Sequence, residues 1–163
     1  PMANKPHYER VLKLIADAEN YGHEILLDGR SACRAHGYYV GPTIFTNVPN
    51  DSKLAQTEIF GPVVSTEAWD DDEEVICKAN DTIYGLAAGI WSKDVGKAMR
   101  ISDKIEAGTI YINNYFNAAT QSPVGGFKQS GYGRESGWEG MRGFMQTKSV
   151  WLSTAPFQPD PFD

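Results

Sequence analysis

Glu58 and Phe60 stand two residues apart in the segment Thr57-Glu58-Ile59-Phe60-Gly61-Pro62-Val63-Val64. On an extended backbone, side chains alternate, so this pair projects to one side. A carboxylate placed there accepts hydrogen bonds from hydroxyl groups, and a phenyl ring covers a flat heterocycle. Together they suit the sugar and base of a nucleotide. Gly61-Pro62 then turns the chain before an apolar run. By residue type alone the plainer reading is favoured: a polar edge residue and a core phenylalanine ahead of a turn.

A second block shifts that balance: Ser122-Pro123-Val124-Gly125-Gly126-Phe127-Lys128-Gln129-Ser130-Gly131-Tyr132-Gly133-Arg134-Glu135. Its glycines suggest a phosphate loop at first sight. However, Gly131-x-Gly133 followed by Gly137 carries one spacer too many for the dinucleotide fingerprint, and no strand feeds directly into it. Turns that need positive φ are the better reading. Lys128 and Arg134 are then expected to fix the loop through carbonyls or acids. Two further blocks lie between: Ala79-Asn80-Asp81-Thr82-Ile83-Tyr84-Gly85-Leu86-Ala87-Ala88-Gly89 and Ala107-Gly108-Thr109-Ile110-Tyr111-Ile112-Asn113.

In this order the four blocks resemble the NAD(P)-dependent aldehyde dehydrogenase superfamily, in character closest to its betaine-aldehyde and retinal dehydrogenase branches. The resemblance runs from the first helix to about Ser153. It implies an enzyme that oxidises an aldehyde to a carboxylic acid with NAD or NADP. A cysteine thiolate attacks the aldehyde, hydride passes to the cofactor and water releases the acid. Glu58 would bind the hydroxyls of the nicotinamide ribose, and Phe60 would pack near the nicotinamide. Asn114-Tyr115-Phe116-Asn117-Ala118 resembles the substrate-tunnel loop, with Tyr115 and Phe116 as wall candidates; two packed core aromatics is the even alternative. Ser122-Pro123-Val124 would approach the tunnel mouth, where many relatives carry a bulkier aromatic in place of Val124.

The family's nucleophile lies in a Gly-Gln-x-Cys context that this chain does not contain. Its general-base glutamate and glycine-rich cofactor loop have no match either. The expectation is therefore the C-terminal part of the catalytic domain, residues 1–143, followed by an oligomerisation strand and tail, 144–163. No catalytic residue is expected, and the piece alone should be inactive. The rival reading is a standalone, non-enzymatic α/β oligomerisation or binding module derived from the same fold.

Composition agrees with a globular chain: 163 residues, 41% apolar and 22% charged. Such a length buries roughly 70% of its unfolded surface. A net charge of −6 argues against a nucleic-acid partner. No run is apolar enough to span a bilayer and no charged-then-apolar leader opens the chain, which says little about targeting where the chain is a piece of a longer one; the cytoplasm is the expected location. Two cysteines are too few for a disulfide framework. Cys77 sits in the apolar stripe Val75-Ile76-Cys77 and reads as a buried thiol. Cys33 falls in a loop where Arg34 can lower its pKa, and Cys33 with His36 lacks the second ligand pair that zinc needs. No metal is expected, and His7, His23 and His36 receive no role.

Tyr8, Val11, Leu12, Ile15 and Ala18 recur at helical spacing over residues 6–21, and Gly22 stops that helix. Strands are expected at 24–27 and 37–45, with one helical turn near 51–53. From 62 to 113 the pattern runs strand, helix, strand, helix, strand. Asp70 caps the first of these helices with Glu73 completing a capping box, and Ser92 or Asp94 caps the second. Strand segments 62–69 and 86–91 are expected to be buried. This alternation implies an α/β fold, a mostly parallel sheet with flanking helices. Beyond 113 the chain reads as irregular, with a short helix after Ser136. Residues 147–153 form a late strand with no partner nearby in sequence. A bare edge pairs with another chain, and in the family this strand joins a neighbouring subunit, so a homo-oligomer is expected. The proline-bearing tail from Pro156 is not a core element.

Overall fold

Asn4 opens the first helix because its side chain accepts the His7 backbone N–H at 2.9 Å. Pro6 sits in the first turn, where a missing N–H removes no helical bond. The resulting helix, α1 (Lys5–Asn20), buries Val11, Ile15 and Ala18 along one face. Gly22, at φ +86°, takes the chain out of it. The structure, a computed structural model, describes residues 1–32, 37–117, 119–154 and 160–162.

Strands β1 (Glu24–Leu27), β2 (Thr43–Thr46) and β3 (Val63–Ser65) form one sheet, with β1 antiparallel and β3 parallel to the central β2. A single-turn helix, α2 (Lys53–Gln56), lies between β2 and β3, capped by the Ser52 hydroxyl. The core is the layer between α1 and this sheet: Val11, Ile15, Phe45 and Val48 are fully buried, with Leu54 and Ile59 closing its edge. The rest of the chain holds α3 (Asp72–Asn80), β4 (Tyr84–Gly85), β5 (Ala87–Ile90), α4 (Val95–Ser102), β6 (Thr109–Ile112), β7 (Phe127–Lys128) and α5 (Gly137–Arg142). β5 and β6 pair in parallel, joined by α4, and β4 pairs antiparallel with the distant β7.

The α/β class is as expected, and the unit β5–α4–β6 is the crossover that the alternation implied. The strands do not share one sheet, however: three small sheets form. β3 pairs with β2, β4 with β7 and β5 with β6. Burial also differs. Val64 is 54% exposed, Leu86 54% and Trp91 65%, since a sheet of two or three strands leaves a face uncovered. The expected strand at 37–45 contracts to Thr43–Thr46.

Capping of α3 lies one residue later than the sequence pattern placed it. Asp71 is the cap, accepting the Glu74 N–H at 2.9 Å, and the Glu74 carboxylate accepts the Asp70 N–H at 2.8 Å. That backbone donor, with Lys78 second, holds the Glu74 carboxyl below its ordinary range. The neighbouring acids pair with lysines, Asp72 with Lys97 and Glu73 with Lys104, so the acidic run is a helix start with surface ion pairs. The second helix is capped by Asp94, which accepts the Lys97 N–H.

Cys77 is exposed on α3, not buried, because α3 has no fully buried residue in this chain. Residues 147–153 carry no strand ladder. Val150, Trp151 and Leu152 are 80%, 94% and 85% exposed, and no strand among the described residues pairs with them. The readings of Cys33, Arg34 and His36, and most of the tail from Pro156, lie outside the described residues.

Candidate functional site

α2 ends at Gln56, and Thr57 continues extended at φ −107°, ψ 126°. Side chains then alternate: Glu58 is exposed, Ile59 is buried in the core and Phe60 is exposed. Exposure therefore alternates at period two, but the two outward side chains do not face one cleft, because the backbone leaves the extended region at Phe60. Phe60 is not the core phenylalanine of the plainer reading, because 73% of it is exposed. Its backbone is also left-handed, at φ +62°, a region that bulky residues enter only when their surroundings impose it.

The surroundings here are one face of α1. Arg10 donates from Nη2 to the Glu58 carbonyl at 2.8 Å and from Nη1 to the Ile59 carbonyl at 2.7 Å. His7 Nε2 lies 2.7 Å from the Phe60 carbonyl oxygen, and its ring centroid is 6.2 Å from the Phe60 ring. Gly61 follows against the same helix, since a Cβ there would lie 3.1 Å from both Val11 methyl groups. The Glu58 side chain lines a half-open cleft of about 480 Å³, with Thr57, Ala79, Thr82 and Ala88 on its walls. Among the described residues no hydrogen bond or ion pair engages the Glu58 carboxylate. The same cleft is also lined by Tyr84, Leu86, Ile105, Glu106 and Gln129, and an unpartnered acid there has both its oxygens free for ligand hydroxyls. Phe60 does not line that cleft; it stands beside His7 at the outer side of the same segment.

The second group of candidates lies beyond β6. Asn113 ends that strand at φ +55° and crosses to β5: its Oδ1 accepts the Ser92 N–H and its Nδ2 donates to the Ser92 carbonyl, both at 2.9 Å. This tie launches the loop that carries Tyr115 and Phe116. Tyr115 sits among Tyr111 (5.0 Å between centroids), Phe116 (4.8 Å) and Trp91 (6.2 Å). Tyr115 is 44% and Phe116 84% exposed, so neither is a core aromatic in this chain. Ala118 lies outside the described residues. Val124 is held separately, in an antiparallel bridge with Glu135 whose two hydrogen bonds measure 2.8 and 2.7 Å. No ring contact joins it to the Tyr115 cluster.

Lys128 and Arg134 fix the glycine-rich loop as anticipated. Lys128 donates to the Asn80 carbonyl and pairs with Glu106 at 2.7 Å, and Arg134 donates to the carbonyls of Gly126 and Gly133. Gly131 and Gly133 adopt φ +120° and +78°, so they are turn residues. Sequence reasoning gave no role to His7 and did not single out Arg10. Their spacing of three places both on one helical face, but nothing local to α1 reveals that its partner lies some fifty residues downstream. Among the described residues no group of side chains suited to a metal ion occurs, and no helix is long and apolar enough to cross a membrane.

Residues 1–150 match the aldehyde dehydrogenase family. The chain is 41% identical over 155 residues to 4-trimethylaminobutyraldehyde dehydrogenase of Rattus norvegicus, covering 92% of this chain and 31% of that protein. It is likewise 41% identical over 152 residues to cytosolic aldehyde dehydrogenase 1 of Macroscelides proboscideus, covering 93% and 30%. Among solved structures, a point mutant of betaine aldehyde dehydrogenase from Staphylococcus aureus with NAD+ superposes with a TM-score of 0.91 at 37% identity, over 97% of this chain and 33% of that one. The NAD+ complex of an aldehyde dehydrogenase from Bacillus cereus gives 0.89 at 38% identity, over 95% and 31%. The chain belongs to the aldehyde dehydrogenase family, and it spans about a third of the length of the curated relatives it matches.

Proposed function

We propose that this chain forms the C-terminal part of the catalytic domain (1–143) and the oligomerisation strand and tail (144–163) of an enzyme that oxidises an aldehyde to a carboxylic acid with NAD or NADP. Glu58 accepts the two ribose hydroxyls beside the nicotinamide, and Phe60 packs near that ring. Tyr115, Phe116 and Val124 border the aldehyde channel. The observation that carries this reading is the outward pair Glu58 and Phe60 flanking the buried Ile59, with the Glu58 carboxylate free in a cleft. It fits a dinucleotide's ribose because a free carboxylate accepts two hydroxyl protons at once, and two of the similar solved structures hold NAD+. When bound, the cofactor supplies the hydride acceptor. This chain's own residues bind and orient. The attack on the aldehyde is not assigned to them, because this chain holds no Gly-Gln-x-Cys segment, and the expected result of a turnover assay on the piece alone is no NADH.

In the protein encoded by the complete reading frame, Glu58→Gln is expected to raise KM and Kd for NAD+ about tenfold. That corresponds to the loss of a charge-assisted bond. An unchanged Kd removes the assignment.

The exposed apolar run Val150, Trp151 and Leu152 supports an oligomer contact, because a contiguous apolar patch of this kind is better covered by another chain than left in water. Deleting residues 144–163 should lower the solution mass to that of a smaller assembly. Light scattering on the two forms checks this, and an unchanged mass counts against it.

A further inference from the structure

We propose that Arg10 and His7 are positioning residues that set the height and turn of the Glu58–Phe60 segment; this rests on the cofactor reading given above. Three successive carbonyls, those of residues 58, 59 and 60, face α1 and are received there by two side chains. β3 begins only at Val63, and among the described residues no main-chain N–H reaches any of the three. An extended segment outside a ladder must find other partners for its carbonyls, and α1 supplies them.

The helix treats its cations differently. Lys5 and Lys13 pair along α1 with Glu9 and Asp17, whereas Arg10 has no carboxylate partner among the described residues and turns its fork onto two carbonyls. A planar guanidinium donates in two directions at once, which an ammonium at the same place does not. His7 then secures the carbonyl of Phe60, the residue whose φ of +62° has to be imposed by its surroundings. Gly61, seated on Val11, completes the imprint of α1 on the segment. The clamp holds the backbone through its carbonyls, while Glu58 lines the cleft and the Phe60 ring stands beside His7. Neither Arg10 nor His7 touches the ligand.

The test uses the protein from the complete reading frame, with NAD+ as the probe. Arg10→Met should raise Kd and KM for NAD+ about tenfold while KM for the aldehyde at saturating NAD+ stays within twofold. Arg10→Lys should lose less, and His7→Gln, which keeps a donor, less than His7→Leu. Hydrogen exchange on the ligand-free protein should accelerate at residues 58–61 and not in β1 or β2. Glu58→Gln, measured alongside, separates the two levels. If it weakens NAD+ binding and Arg10→Met and His7→Leu do not, the clamp is overturned and the cofactor reading stands. If none of the three changes Kd, the cofactor reading falls and the clamp with it. Exchange that accelerates uniformly through α1 and the sheet also overturns the proposal, because it marks general loosening. Should Arg10→Met fail to fold, Arg10→Lys and His7→Leu carry the same comparison.

Discussion

Phe45→Ala is expected to destabilise the chain by about 3–5 kcal/mol, the usual cost of emptying a fully buried aromatic site. Phe45 is the largest side chain with no exposure and occupies the middle of the layer between α1 and the three-stranded sheet. Its backbone is equally committed: it faces Ile25 on β1 and Ser65 on β3, and its carbonyl accepts both the N–H and the hydroxyl of Thr66. A backbone held on two sides cannot collapse into the space the ring leaves, so little of the cavity closes. Natural domains have only about 5–15 kcal/mol of net stability, so the loss is a large fraction of it. The effect should reach the candidate site, because Ile59 and Val11 belong to the same cluster and Ile59 anchors the segment between Glu58 and Phe60. The urea midpoint should fall with the slope unchanged, and Phe45→Leu should fall less. A loss under about 1 kcal/mol would mean that the core is not centred on this ring.

Local chemistry made much of this fold legible in the sequence. Tyr8, Val11, Leu12, Ile15 and Ala18 betrayed α1 through their spacing, Ser92 and Asp94 marked the start of α4 as alternative caps, and the period-two pattern at 58–60 gave the alternating exposure. These signals act within one turn or one strand. Long-range pairings left no such trace. Tyr84–Gly85 and Phe127–Lys128 are two-residue strands with no period to detect, and they pair across more than forty positions. The capping acid was misplaced by one because Asp70, Asp71 and Asp72 are chemically equivalent, and only the N–H that each can reach separates them. Burial of Cys77 failed for a related reason. Its apolar neighbours promise a covered face, but among the described residues α3 has no buried position. At the site, the residue types of the pair were legible, whereas the left-handed turn at Phe60 and the two α1 side chains behind it depend on contacts across some fifty positions.

Gly108→Ala should cost about 3 kcal/mol or more, at the upper end of overpacking penalties. A Cβ at position 108 would fall on the Gly125 carbonyl oxygen, with the Gly125 carbonyl carbon 2.8 Å away and the Gly126 Cα 3.5 Å away. All three are backbone atoms, so no side chain can rotate aside. Relief requires moving either the start of β6 or the glycine-rich loop. The first is tied by the Gly108 N–H to the Gly85 carbonyl at 3.0 Å and by the Thr109 N–H to Leu86 at 3.2 Å. The second is tied by the Val124–Glu135 bridge and by Arg134 to the Gly126 carbonyl. Val124 directly precedes Gly125, so any movement of the loop carries Val124 with it. Aldehyde KM should therefore rise more than NAD+ Kd. Gly131→Ala is the control: its φ of +120° strains alanine, but nothing lies within 4 Å of the added methyl. Strain without collision costs about 1–2 kcal/mol. Urea unfolding of the two variants side by side reads the difference, and equal losses would show that the close approach of Gly108 to Gly125 is absent in solution.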